Sequence, residues 1–182
     1  MKVYSIYILN KAGGLIYQKD FNHGLNKLSA NDYLVLAGTL HGVHAIASKL
    51  KPIIDGTQDD ARTAPNQNVK LYTTGRAQNP NTNLSGLQSI ETDLFNLYVF
   101  QTLTGVKFII ITSPNPVVHN LQPINETKFN RGELNKQLEA TNIIFKQLYI
   151  HYSDYVMKDP FYSLEMPIKS PLFDTKVAEL VS

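Results

Sequence analysis

The sequence feature that most constrains the fold is a run of sixteen residues, 33–48, that contains no Asp, Glu, Lys or Arg. It reads YLVLAGTLHGVHAIAS and lies between Asp32 and Lys49. A surface helix normally carries one apolar stripe and a charged opposite side, whereas this one is apolar almost all round. It is shorter than the about 20 apolar residues that span a bilayer. We therefore expect protein to cover this helix on two sides, with a partner chain supplying the second cover.

Composition indicates one folded domain and excludes several kinds of site. A chain of 182 residues that is 43% hydrophobic can form a core without crosslinks, which predicts a single domain over 1–182. The absence of cysteine excludes disulfides, thiolate zinc sites and cysteine nucleophiles. The net charge is +2 with Lys and Arg dispersed, which argues against a nucleic-acid-binding face.

Hydrophobic periodicity predicts five strands and three helices. The predicted strands are 3–9, 15–19, 87–92, 95–103 and 106–112, and the predicted helices are 30–49, 131–157 and 172–181. Residues 53–85 are rich in Asn, Gly, Pro and Thr, which predicts a polar loop insertion. The order β-β-α-β-β-β-α-α favours an α+β fold with one five-stranded antiparallel sheet and helices on its faces.

Local signals predict how these elements begin and face. Ser29 is a suitable N-cap for the first helix, with Asp32 completing a capping arrangement. In the second strand, alternation places Leu15 and Tyr17 on one face and Ile16 and Gln18 on the other. The last two helices each carry apolar residues at helical spacing. In the longer helix these are Leu134, Leu138, Thr141, Phe145, Leu148, Tyr152, Tyr155 and Val156; in the final helix they are Leu172, Val177 and Leu180.

The first helix divides into two faces at about 100° per residue. The predicted sheet-facing residues are Tyr33, Leu36, Leu40, Val43, Ala47 and Leu50. The opposite side carries Leu34, Val35, Gly38, Gly42, Ala45 and Ile46, with His41 at its edge. Each glycine costs about 1 kcal/mol against alanine inside a helix, so the pair requires a reason. Glycines at i and i+4 allow another backbone to approach closely, either from a partner helix or from the chain's own loop. We favour a partner surface over close packing on the chain's own sheet, and predict that Leu34, Gly38, His41, Gly42 and Ile46 bind a partner.

A second concentrated feature follows the long helix and reads SDYVMKDPFYSLEMPIKS, residues 153–170. Its apolar segment 161–168 must lie against something. Cover of the domain's own sheet edge and contact with another subunit both remain open. We predict Tyr155, Lys158 and Phe161 as partner-binding residues.

Catalytic signals are weak throughout the sequence. His41 and His44 lie one helical turn apart, so a metal pair is conceivable, but no third ligand is evident. A hydrogen-bonded histidine at an interface is the preferred interpretation. No phosphate-binding loop or nucleophile arrangement accompanies them, so we expect no metal, no cofactor and no catalysis by the chain alone.

Four segments resemble a known family. They read YILNKAGGLIYQKDF, LAGTLHGVHAIASKL, FQTLTGVKFIIIT, and YSDYVMKDPFYSLEMPI followed by LFD. Together they resemble the synbindin-type, longin-like core subunits of the TRAPP complexes. A lone Thr-Gly-x-Lys-Phe would not be specific, but several motifs in this order are. The resemblance covers nearly the whole chain outside 53–85 and 113–129, and it implies a longin (profilin-like) fold.

The resemblance also implies a function. Such a subunit belongs to a multisubunit vesicle-tethering complex that acts as guanine-nucleotide exchange factor for a Rab GTPase in ER-to-Golgi transport. Its implied partners are a second longin-like subunit, neighbouring small subunits and, through the assembly, the GTPase. The implied location is cytoplasmic and peripheral at early Golgi or ER–Golgi membranes. Some relatives carry an inserted domain where this chain has the polar loop, so no function of that insert is carried over.

One alternative is a longin-type regulatory or adaptor module that binds a membrane-fusion protein and has no exchange activity. Such a module would require a coiled-coil segment and a membrane anchor after the domain. The sequence to Ser182 contains neither, which favours the exchange-factor subunit.

Overall fold

The chain forms one five-stranded antiparallel sheet with helices on both faces. A computed structural model describes residues 1–22, 24, 26–50, 86–114 and 131–181, with the side chains of 131–135 excepted. The strands are β1 (Val3–Leu9), β2 (Leu15–Asp20), β3 (Ser89–Glu91), β4 (Asn96–Gln101) and β5 (Lys107–Thr112). The helices are α1 (Ala30–Ala47), α2 (Arg131–Tyr152), a π-helical turn (Ser153–Met157) and α3 (Pro171–Val181). The strands lie in the order β2-β1-β5-β4-β3, which confirms the predicted α+β fold.

The sheet has a separate apolar core on each face. On one face, α1 packs Tyr33, Ala37 and Leu40 against alternate residues of β1, β4 and β5. On the other face, α2, the π-helical turn and α3 pack against the intervening residues. Every residue of β5 is buried, because this central strand is covered on both sides. The continuous apolar run in its sequence follows from that double cover.

A β-bulge in β2 corrects the predicted alternation of that strand. Leu9 lies opposite Leu15 and Ile8 lies opposite Tyr17, so Ile16 is an extra residue on β2. The extra residue reverses the alternation, and Ile16 and Tyr17 both join the α2 side of the core. The expectation that Ile16 and Tyr17 face opposite sides is therefore wrong.

The start of α1 is fixed by a capping box, as the sequence predicts. The Ser29 hydroxyl accepts a hydrogen bond from the Asp32 backbone N–H at 3.2 Å, and the Asp32 carboxylate accepts one from the Ser29 N–H at 3.1 Å. The hydrogen bonds that the Ser29 hydroxyl, at 2.7 Å, and the Ser29 N–H donate to the Asp32 carboxylate lower its pKa. Two orphan backbone donors at the helix N-terminus are thereby satisfied.

The sheet-facing side of α1 differs from the prediction by a rotation of roughly 60° about the helix axis. The buried residues are Tyr33, Ala37, Leu40 and His44. Val43 and Leu50, predicted to face the sheet, are exposed. The rotation brings small Ala37 against the sheet, and His44 then reaches the backbone that leads into β3.

The predicted spacing of α2 is largely confirmed. Its buried residues are Thr141, Phe145, Leu148, Tyr152 and, within the π-helical turn, Val156. The predicted helix over 131–157 thus ends in a π-helical turn rather than a regular α-helix. The side chain of Leu134 lies outside the described part of the chain.

In α3, Phe173 rather than Leu172 enters the core. Phe173 is fully buried and its ring meets the Tyr17 ring edge-on, with centroids 5.0 Å apart, whereas Leu172 is 65% exposed. The Tyr17 hydroxyl donates a hydrogen bond to Asp174 at 2.8 Å, which fixes the helix against β2. Burial and the adjacent Asp174 raise the pKa of Tyr17.

The polar insertion predicted at 53–85 lies outside the described residues, and the single-domain interpretation stays a prediction. Among the helices that the structure describes, none has both the length and the apolar character needed to cross a membrane.

The capping box predicts the effect of removing its hydroxyl. Ser29→Ala should lower the free energy of unfolding by about 1 kcal/mol, because the Asp32 N–H loses its acceptor. Chemical denaturation measures the change. Ser163→Ala, at an exposed position outside any helix, is the matched control and should be neutral; equal losses in both variants would contradict the role assigned to the cap.

Candidate functional site

The side of α1 that faces away from the sheet is apolar, and none of the described residues covers it. Leu34, Val35 and Ile46 are 57%, 59% and 64% exposed. Between them, Gly38 and Gly42 lie one turn apart, and a Cβ built on either would have no atom of the described residues within 4 Å, apart from the helix's own backbone. We call these five residues the α1 outer face.

The open space at Gly38 and Gly42 excludes one of the two explanations for these glycines. Close packing on the chain's own sheet would bring sheet atoms against them, and no atom of the described residues lies there apart from the helix's own backbone. The glycines instead leave a strip of bare helix backbone bordered by large apolar side chains. Such a strip admits another element at short distance, but partner binding at Leu34, Gly38, His41, Gly42 and Ile46 stays a prediction.

The two histidines of α1 are directed at different turns. His44 is 97% buried, its Nδ1 lies 3.2 Å from the Leu87 carbonyl oxygen, and its ring occupies the space beside Gly86. The ring of His41 lies against Gly13 in the β1–β2 turn. Gly13 has a φ of +90°, and a Cβ there would lie 2.6 Å from the His41 ring. Gly86 has a φ of +84°, and a Cβ there would lie 2.7 Å from the His44 ring.

These contacts decide how the histidines function. His44 links α1 to the start of β3 by a hydrogen bond, so it acts as a structural group. Within the described ranges, no three His, Cys, Asp or Glu side chains come together in a way that could hold a metal ion.

His41 has a neighbour that the sequence interpretation missed. Its Nδ1 is shielded from solvent and has no hydrogen-bond partner among the residues that the structure describes. Burial, then the charge of Lys107, then His44 lower the pKa of His41. Lys107 is only 4% exposed, and burial lowers its pKa too. The sequence signal that could have identified Lys107 is its position directly before the four apolar residues 108–111 of the same strand.

The C-terminal segment presents a second apolar surface. Phe161 is 89% exposed, and Met157, Leu164 and Met166 are 46%, 54% and 50% exposed. We call these four residues the C-terminal patch. It lies on the α2 side of the molecule, so the sheet separates it from the α1 outer face.

The two interpretations of the 161–168 segment concern different residues, and contact with another subunit stays a prediction. Tyr162 and Ile168 pack against the core, and the Ile168 N–H donates a hydrogen bond to the Ile16 carbonyl on edge strand β2 at 2.8 Å. That part covers the chain's own sheet edge. The residues of the C-terminal patch point away from it.

The predicted residues Tyr155, Lys158 and Phe161 are therefore not equivalent. Tyr155 is partly buried against the core, and Lys158 forms an exposed ion pair with Asp154. Phe161 presents its ring fully to solvent.

The space beneath α1 does not form a ligand site. The cavity there measures about 10 Å³ and is lined by apolar side chains and two tyrosines. That volume holds at most one water molecule, far less than the several hundred Å³ of a small-molecule pocket.

Comparisons with known proteins agree on one family. The model described as the Sybindin-like family matches residues 3–182. Over 181 residues the chain is 38% identical to "Trafficking protein particle complex subunit 4" of Dictyostelium discoideum, covering 100% of this chain and 97% of the relative. The human protein of the same name is 28% identical over 221 residues, covering 96% and 91%. These matches confirm the resemblance inferred from the motifs.

A differently named relative is also similar. "Trafficking protein particle complex subunit 1" of Dictyostelium discoideum is 27% identical over 174 residues, covering 94% of this chain and 88% of the relative. Two proteins named as subunits of one particle thus both resemble this chain along most of their length.

Glycine replacements distinguish the open helix positions from the crowded turn. Gly38→Ala and Gly42→Ala should each raise the free energy of unfolding by up to about 1 kcal/mol, because alanine favours the helix and meets no atom. Gly13→Ala should lower it, because its φ is +90° and the new Cβ would collide with His41. Denaturant titration of the three variants checks the signs. Destabilisation by Gly38→Ala would show that something covers this face in the isolated chain.

Proposed function

The chain belongs to the Sybindin-like family, and on that premise we propose that it is a core subunit of a multisubunit vesicle-tethering complex. In this proposal the assembled complex acts as guanine-nucleotide exchange factor for a Rab GTPase in ER-to-Golgi transport. The subunit is cytoplasmic and associates with early Golgi or ER–Golgi membranes only through the complex.

The observation that carries the subunit role is the α1 outer face. Protein interfaces concentrate apolar side chains at their centre and exclude charge there. Leu34, Val35 and Ile46 present such side chains around a strip of bare backbone, with no charged residue among positions 33–48. A face of this kind favours burial against another subunit over permanent exposure.

The relatives support a paired arrangement. Subunits 4 and 1 of the particle, as named in Dictyostelium discoideum, both resemble this chain. We take the second longin-like subunit to be a protein of that related kind. The α1 outer face and the C-terminal patch lie on opposite sides of the sheet, so the subunit offers separate surfaces to two neighbours.

Exchange of nucleotide requires no reacting group in such a subunit. An exchange factor acts by binding the nucleotide-free GTPase more tightly than the nucleotide-bound form, and this differential affinity shifts the equilibrium. A composite surface from several subunits supplies that binding energy. Apolar surfaces without a catalytic constellation suit this role.

We predict that the chain alone will not release nucleotide from the GTPase. Release of labelled GDP from the Rab should stay at the intrinsic rate with the isolated chain and rise only when the sister subunits are added. The measurement is a stopped-flow trace of the labelled nucleotide, with the assembly lacking this chain as control.

Two results would contradict the proposal. Robust exchange by the chain alone would contradict the subunit role. Full exchange by the assembly that lacks this chain would show that the chain does not contribute to exchange. Binding to a membrane-fusion protein without any effect on exchange would instead favour the regulatory module.

The α1 outer face predicts a separation between folding and assembly. Gly38→Leu or Gly42→Leu should abolish co-purification with the sister subunits, because the side chain fills the strip of bare backbone. The circular dichroism of the isolated variant should match that of the original chain, since no described residue outside the helix's own backbone lies within 4 Å of the new Cβ. Glu139→Leu, on the exposed side of α2, is the matched control and should assemble normally.

A further inference from the structure

Two strand turns and α1 bring together basic groups at one end of the sheet. Lys107 begins β5, next to the β4–β5 turn, and its Nζ donates a hydrogen bond to the Gly105 carbonyl at 3.3 Å. The stem of Lys11, from the β1–β2 turn, lies over Gly105, where a Cβ would be 3.0 Å from the Lys11 Cγ. His41 approaches from α1 with its ring against Gly13.

Within the described part of the chain, this basic cluster has no acidic partner. The ion pairs that the structure describes involve Lys19, Lys158 and Lys176. Among the described residues, the Lys107 ammonium has only a long hydrogen bond to the neutral carbonyl of Gly105. A buried ammonium with so little compensation is costly for the isolated chain.

Lys107, whose buried ammonium is energetically costly, lies close to the α1 outer face. His41 precedes Gly42 on the same helix, and its shielded Nδ1 is a polar atom without a partner in the part of the chain that the structure describes. Lys11, Leu103 and Thr104 on the adjoining turns are exposed, so a partner that packs on α1 also reaches the turn tips. The flexible lysine stem can then redirect its ammonium from Gly105 towards a new acceptor.

We propose that Lys107, with His41 and Lys11 beside it, forms a receiving site for an aspartate or glutamate side chain of the subunit that packs on α1. The site rests on the proposed function, because it extends the α1 interface. A carboxylate fits because it accepts hydrogen bonds from an ammonium and neutralises the buried charge as the partner excludes water. Charge complementarity at the edge of an apolar face would also fix the register of the two subunits.

The test replaces the charge and retains the stem. Lys107→Met in the full chain should weaken binding to the assembly of sister subunits by about 30-fold or more, because the partner's carboxylate is left buried and unpaired. The dissociation constant is measured by titrating labelled chain into that assembly. Lys136→Met, an exposed lysine on α2, is the matched control and should change binding by less than about twofold.

The melting temperature of the isolated variant is an independent measurement, because it should not fall although subunit binding weakens. Since none of the acidic side chains that the structure describes pairs with Lys107, Lys107→Met should leave the melting temperature unchanged or raise it. A lower melting temperature would overturn the proposal, because it would show that an acid within the chain already compensates the lysine. Unchanged subunit binding by the variant would overturn it as well.

Two further outcomes distinguish a failure of the carboxylate site from a failure of the proposed subunit role. If Gly38→Leu abolishes assembly while Lys107→Met binds as tightly as the original chain, the subunit role stands and the carboxylate site falls. If the original chain binds phosphatidylserine vesicles, Lys107→Met does not, and subunit binding is equal for both, the anion is a lipid headgroup and the proposal is wrong.

Discussion

The rest of the structure depends on a sheet that is apolar on both faces. All six residues of β5 are buried, and its neighbours β1 and β4 are almost as fully covered. Burial at about 25 cal/mol per Å² makes an uncovered face of such a sheet unfavourable, so both faces require a layer. One layer combines α2, the π-helical turn and α3, whereas the other consists of α1 alone within the described residues.

The elements were predictable where the signal is local, and unpredictable where distant segments meet. Periodicity and the Ser29 cap identified β1 and the start of α1, because both depend on neighbours in sequence. The rotation of α1 depends on the contact between the His44 ring and Gly86, which lies 42 residues later in the sequence. The burial of Phe173 likewise depends on Tyr17, a partner that periodicity within one helix cannot identify.

The candidate site shows the same division. An uncharged helix with glycines one turn apart predicted an apolar outer side, and Gly38 and Gly42 do lie in open space. The C-terminal residues were harder, since Tyr155 and Phe161 are both aromatic, yet one packs inward and the other points outward. Lys107 escaped notice because its burial arises only when two turns and α1 meet.

The bulge at Ile16 has a consequence for aggregation. An edge strand with free backbone groups is a template for adding strands from other copies of a chain. The bulge interrupts the regular pairing pattern of β2, and the Ile168 N–H already occupies the outward Ile16 carbonyl. The opposite edge strand, β3, has only three residues. Both edge strands therefore disfavour the addition of strands from other copies. Association then involves side chains on the helices, which can be specific for one partner.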